Sequence, residues 1–211
     1  MENFPEDFCA QLHDLMSWRR DVRHFQADKP VPDELLATVL EAIRLAPSVG
    51  LSEPWRLISV KSSEARAKTL ANFEAANAEA LSGYSGDRAQ IYAGLKLSGM
   101  RDAPVQLAIF CDDGTDKGAG LGAGTMPEAR RYSVVSAVMN LWLMARAHGL
   151  GVGWVSIIDP VQMAADLEAP EGWALVAYLC IGFPVEVSQT PELVKAKWEQ
   201  RDPLLAEVED R

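Results

Sequence analysis

Residues 132–158 read YSVVSAVMNLWLMARAHGLGVGWVSII, and this stretch decides the class of fold. Residues 132–148 are apolar on nearly every face of a helix, so that helix is expected to be buried or to sit in a subunit interface. Gly149 ends it. Residues 152–158 are rich in β-branched side chains and read as a buried strand. Working outward, residues 33–46 form one apolar face through Leu35, Leu36, Val39, Leu40 and Ile43, started by Pro32 and Asp33 and stopped by Pro47. Residues 64–82 also read as helix. Residues 56–60, 104–111 and 174–182 read as strands. Helices and strands alternate loosely, so the expected fold is α+β, a sheet covered by helices.

The chain has 211 residues, which suits one domain, here taken as 1–211, with a substantial core. Its net charge of −10 disfavours nucleic acid and acidic membranes as partners. No apolar run approaches the roughly 20 residues that a membrane span needs. The start, MENFPEDFCAQLHDL, has no apolar signal core. Cys9, Cys111 and Cys180 are widely spaced. The last two lie in apolar runs and read as buried, so a disulfide framework is not expected and a reducing cytoplasm is favoured. His13, His24 and His148 lack ligand spacing, which argues against a histidine metal site.

Three constellations carry possible chemistry. Arg19-Arg20-Asp21-Val22-Arg23 puts three cations in five residues of an acidic chain. Arginine forks match phosphate oxygens, although a solvated basic patch would look the same. Among those cations Asp21 is expected to stay ionised, either pairing with them or accepting a hydrogen bond or proton from a bound polyol. Ala46 to Trp55, APSVGLSEPW, is a small kinked loop whose backbone N–H groups could approach a flat ligand. Gly149 to Ser156, GLGVGWVS, is either a tight helix-to-strand connection or a segment that delivers Trp154 and Ser156 to a ligand. A fourth run, GAGLGAG at 118–124, looks like a dinucleotide fingerprint. It lacks the strand–turn–helix setting and the following acidic residue, and so reads as a surface loop.

The order RRDVRxF, APSVGLSxPWR, then ARAHGLGVGWVS resembles the nitroreductase-like flavoprotein superfamily from about Arg19 to Arg201. Asp21, Ser156 and the segment GTMPEARRYSVVSAVMNLWL at 124–143 are similar to the dimethylbenzimidazole synthase branch. The resemblance implies a three-layer fold with a mostly antiparallel sheet, as a homodimer with two FMN sites at its interface and terminal extensions wrapping the dimer. It implies that Arg19, Arg20, Arg23 and Arg201 hold the flavin phosphate and ribityl chain. It further implies that Pro47, Ser48, Val49, Gly50, Leu51 and Ser52 pack on the flavin, often from the partner subunit, and that Trp154, Val155 and Ser156 run along the ring. In this branch reduced FMN is the substrate: with dioxygen it yields 5,6-dimethylbenzimidazole, the lower ligand of vitamin B12, and erythrose 4-phosphate, without a metal. Asp21 is then the candidate proton acceptor or ribityl orienter, and Ser156 a hydrogen-bond partner. A separate flavin reductase is a further expected partner. The alternative within the superfamily is an FMN-dependent nitroreductase or flavin reductase.

Two further expectations concern the periphery. Residues 83–101, with Arg88, Tyr92 and Lys96, form either a lid or an ordinary pair of surface helices. Trp18, Trp55 and Trp198 are open to three readings, core, interface or flavin contact, of which core is preferred for each.

Overall fold

The computed structural model describes residues 3–95, 98–202, 208–209 and 211. Lys96 lies outside the described residues. The centre is an antiparallel sheet in the order β1-β2-β4-β3, made of β1 (Trp55–Ser59), β2 (Val105–Asp112), β3 (Gly151–Val155) and β4 (Trp173–Gly182). Alternation along β2 divides the core. Leu107, Ile109 and Cys111 face one layer, and Ala108 and Phe110 face the other. The first layer is α2 (Asp33–Glu41), its 3₁₀ extension Ala42–Leu45, and α6 (Ala129–Ala147). The second contains α3 (Ser63–Ser82), α5 (Gly99–Asp102) and α7 (Pro160–Asp166). The expected three-layer arrangement is therefore present. A bulge opposite Ile109 and Phe110 skips Val176 in β4, and Val176 joins Ala177 on the α6 side.

Side-chain caps start two of the helices. Ser62 caps α3 by accepting a hydrogen bond from Ala65 N at 3.1 Å. Asp159 accepts from Val161 N and Gln162 N, and Pro160 opens α7. Cys111 and Cys180 are buried and free, and Cys9 is exposed. Desolvation raises both buried thiols to about 12, so they are inert hydrophobes.

Two helices escaped the sequence reading. One is α7, only seven residues long. The other is α1 (Glu6–Trp18), which buries no residue. With Phe4 just ahead of it, α1 leaves Phe8, Leu12 and Met16 exposed at intervals of four, an apolar stripe without a cover. The strand expected at 152–158 stops at Val155, so Ser156 falls just beyond it. In the segment 83–101, Tyr92 of α4 (Gly86–Gly94) and Tyr84 just ahead of that helix pack against Trp198 near α8 (Glu192–Lys195).

Candidate functional site

The site is built on the edge strand β3. Its outer edge takes a parallel bridge from Asp21 to Val152, and Val22 N donates to Val152 O at 3.0 Å. That approach needs glycine. A Cβ on Gly153 would stand 2.3 Å from Val22 O, and one on Gly151 would stand 2.7 Å from Val22 Cγ2. The glycines of GLGVGWVS thus seat the RRDVR segment against the sheet. Phe25, buried to 3% exposure and bridged to Pro184, anchors the other end.

Once seated, Asp21 is pinned from two sides. Trp154 N donates to its Oδ1 at 2.9 Å, and Arg23 Nε donates to its Oδ2 at 3.3 Å. Burial is the largest influence on this carboxyl and raises its pKa above the ordinary 3.8. The Trp154 N–H, Arg23 and Arg19 pull it down without prevailing. The neighbouring cations, from which an ionised Asp21 was expected, are thus opposed by burial. About 40% of the Asp21 side chain is still accessible, so solvent screens both sets of forces.

The cations gather beside it. Arg19 lies over the Trp142 ring at 5.0 Å, and Trp142 Nε1 donates to Arg20 O at 3.3 Å. Arg20 Nε donates to Gln189 O at 2.6 Å. Burial first, then repulsion from Arg201 and Arg19, lowers the Arg20 pKa from its ordinary value. Arg201, far away in sequence, therefore stands close enough to Arg20 to repel it. Arg20, unlike Arg19 and Arg201, also lines a cleft, and an anion there would relieve the repulsion it feels.

Two open clefts flank the segment, of about 650 and 520 Å³, and Asp21, Val22 and Arg23 line both. The first also touches Trp18, Arg20 and Arg146. The second holds Trp154, Val155, Ser156, Met100 and Cys180. The structure thus unites Asp21 with Ser156, Trp154 and Val155. It does not bring the loop 47–52 there: none of Pro47, Ser48, Val49, Gly50, Leu51 or Ser52 lines either cleft. That loop precedes β1, at the opposite edge of the sheet, where Val49 N donates to Ser133 Oγ of α6 at 3.0 Å. Ser52 is 2% exposed, and its hydroxyl lacks a partner among the described residues. Leu51, by contrast, is 71% exposed.

Sequence reasoning missed part of the lining. Trp18 is no core residue: it is 38% exposed and forms a wall of the first cleft. His24 also lines that cleft and hydrogen-bonds Ser98 Oγ through Nδ1 at 2.7 Å. Adjacency to the RRDVR run was the available signal for both. Among the described residues of 83–101, only Gly99 and Met100 reach either cleft. Among the described residues, no group of His, Cys, Asp and Glu is placed to hold a metal, and no helix is long and apolar enough to cross a membrane.

An aspartate bridged to the edge strand of a four-stranded antiparallel sheet, between helical layers, is thus the centre of the site. Residues 16–183 fit the nitroreductase family model, and the chain belongs to the nitroreductase family. Within it, the chain falls in the 5,6-dimethylbenzimidazole synthase branch. It is 51% identical over 200 residues to the 5,6-dimethylbenzimidazole synthase of Rhodospirillum rubrum, covering 95% of this chain and 94% of that one. It is 44% identical over 201 residues to a protein of the same name from Rhodobacter capsulatus, covering 95% and 97%. Among solved structures, iodotyrosine deiodinase bound to FMN and 3-iodo-L-tyrosine superposes with a TM-score of 0.74 at 21% identity, covering 95% of this chain and all of that one, a likeness of fold.

Proposed function

We propose that the protein is a 5,6-dimethylbenzimidazole synthase, converting reduced FMN and dioxygen into 5,6-dimethylbenzimidazole and erythrose 4-phosphate. The observation that carries this reading is the pinned Asp21, held by Trp154 N–H and Arg23 on the cleft that also holds Ser156, with Arg20 on the neighbouring cleft. The donor set suits FMN: guanidinium groups for a phosphate, and a carboxylate and hydroxyl for polyol hydroxyls. Bound reduced FMN would supply the electrons that dioxygen takes and the ring that becomes the product.

The chain's own residues have distinct tasks. Arg19, Arg20 and Arg201 hold the phosphate, and Arg23 fixes Asp21. Asp21 accepts a proton at the ribityl chain, and its raised pKa makes it a stronger base than an ordinary carboxylate. Ser156 hydrogen-bonds the ring or chain. Trp154 and Val155 flank the ring.

The protein acts as a homodimer in this reading. Tyr132, Val135 and Met139 of α6 are exposed on one face, and α1 adds its own stripe. Apposing two such faces brings the loop of a second subunit, with Pro47, Ser48, Val49, Gly50 and Leu51, to the flavin. Ser52, buried beneath that loop, supports it. The terminal segments wrap the dimer. A separate flavin reductase supplies the electrons, and the setting is the cytoplasm.

The test is a single-turnover product analysis. The protein and FMN are reduced without oxygen and exposed to air, and the products are separated with mass detection. Dimethylbenzimidazole forming as flavin disappears is the expected result. Flavin returning oxidised and intact would make the protein a reductase or a carrier instead.

A further inference from the structure

The run GAGLGAG has no place in the chemistry above, yet the structure gives it a neighbour. Residues 117–122 fold as successive turns between β2 and α6, tied internally by Leu121 N to Gly118 O at 2.9 Å and Gly124 N to Gly120 O at 2.8 Å. Within the run only Ala123 is buried and Gly118 half-buried; the rest is exposed. What it does touch is the loop 47–52. A Cβ on Gly118 would stand 2.4 Å from Gly50 O, and one on Gly122 would stand 2.8 Å from Val49 Cγ2. In return, a Cβ on Gly50 would stand 2.8 Å from Leu121 O. The two backbones therefore meet at a distance that only paired glycines permit. Lys117 forms an ion pair with Glu53 at the end of the contact. Ser133 Oγ accepts from Val49 N on the other side.

We propose that Gly118, backed by Gly122 and Lys117, is a positioning residue: the glycine turn sets the conformation of the loop 47–51 and, through it, the affinity of the partner subunit's site for flavin. This rests on the reading that the loop meets the flavin of a second subunit. Gly50 and Leu51 both hold positive φ, at 57° and 55°, and Leu51 would not keep that backbone without outside support. The clamp supplies that support, leaving Leu51 exposed at the loop's tip.

The experiment compares Gly118→Ala with Gly120→Ala. Both glycines have positive φ, 85° and 73°, so both variants strain the turn, but nothing lies within 4 Å of a Cβ on Gly120. Only Gly118→Ala pushes on Gly50. Flavin affinity, and KM and kcat for reduced FMN, are measured alongside thermal midpoints. Gly118→Ala is expected to raise KM by about tenfold to a hundredfold, with kcat at saturation retained. Gly120→Ala is expected to keep wild-type KM. Equal KM values for the two variants would overturn the clamp while the function proposed above stands. A wild-type protein that takes up no flavin would overturn both.

Mixing settles the subunit question. Gly118→Ala and Asp21→Asn chains, each inactive at low flavin, are refolded together. Half of the dimers are then mixed, and each mixed dimer has one site with both an intact Asp21 and an intact loop. Recovery of about a quarter of wild-type activity is expected. No recovery means that the turn acts within its own subunit, against the proposal.

Discussion

Replacing Asp21 with Asn tests the site at its centre. The amide keeps the size of the side chain, and its oxygen can still accept from Trp154 N, now 2.9 Å from Oδ1. Its nitrogen would then face Arg23 Nε, a donor opposing a donor where the carboxylate accepted at 3.3 Å. Hydrogen bonds to charged groups contribute about 1.5–3 kcal/mol when protected from water. With the side chain two-fifths accessible, the stability change should stay under about 1 kcal/mol. Flavin affinity should change little, because the arginines remain. Loss of a positioned proton acceptor, in contrast, costs about 10²–10⁴ in rate. The assay is the rate of benzimidazole formation after air is admitted to the reduced complex, with flavin binding measured separately. The wild-type rate should climb with pH through the raised Asp21 pKa, above 3.8, because the ionised form is the acceptor. That limb should vanish in the variant. Stability runs the other way. A carboxyl whose folded pKa is raised binds its proton more tightly when folded, so its ionisation erodes stability as pH rises from 3.8 through the folded value. An Asn variant forming product at the wild-type rate would refute the role given to Asp21.

Other perturbations probe the surroundings. Arg20→Ala should weaken flavin binding by about tenfold to a hundredfold, read from fluorescence quenching, with less effect at high salt. Unchanged affinity would remove Arg20 from the phosphate site. Tyr178→Phe strips a buried hydroxyl that donates to Gln106 Oε1 at 2.7 Å and can accept from the Thr69 hydroxyl 3.1 Å away. It should cost about 1–3 kcal/mol in denaturant unfolding, because Gln106 Oε1 loses its donor in a dry interior. Met139→Glu puts a charge on the exposed α6 stripe. It should yield monomers by sedimentation that no longer retain flavin, and a dimer of normal affinity would place the interface elsewhere.

The sequence alone determined a good deal, because period and composition are local signals. The apolar helix at 132–148, the buried strands and the β2 core were legible from side-chain pattern, and the RRDVR cluster from its charge. The resemblance supplied the family and the branch. The helix α1 was missed because it buries none of its residues and so adds nothing to the core pattern, and α7 because one and a half turns carry too little pattern. Tertiary structure decided the rest. Only packing revealed that Gly151 and Gly153 exist to let Val22 lie against β3, since a close backbone approach leaves no mark in sequence beyond the glycine itself. Only burial showed that desolvation outweighs the cations at Asp21, a balance that depends on what covers the carboxylate and not on its neighbours in the chain. And only the strand order separated the loop 47–52 from Asp21, placing them at opposite edges of one sheet.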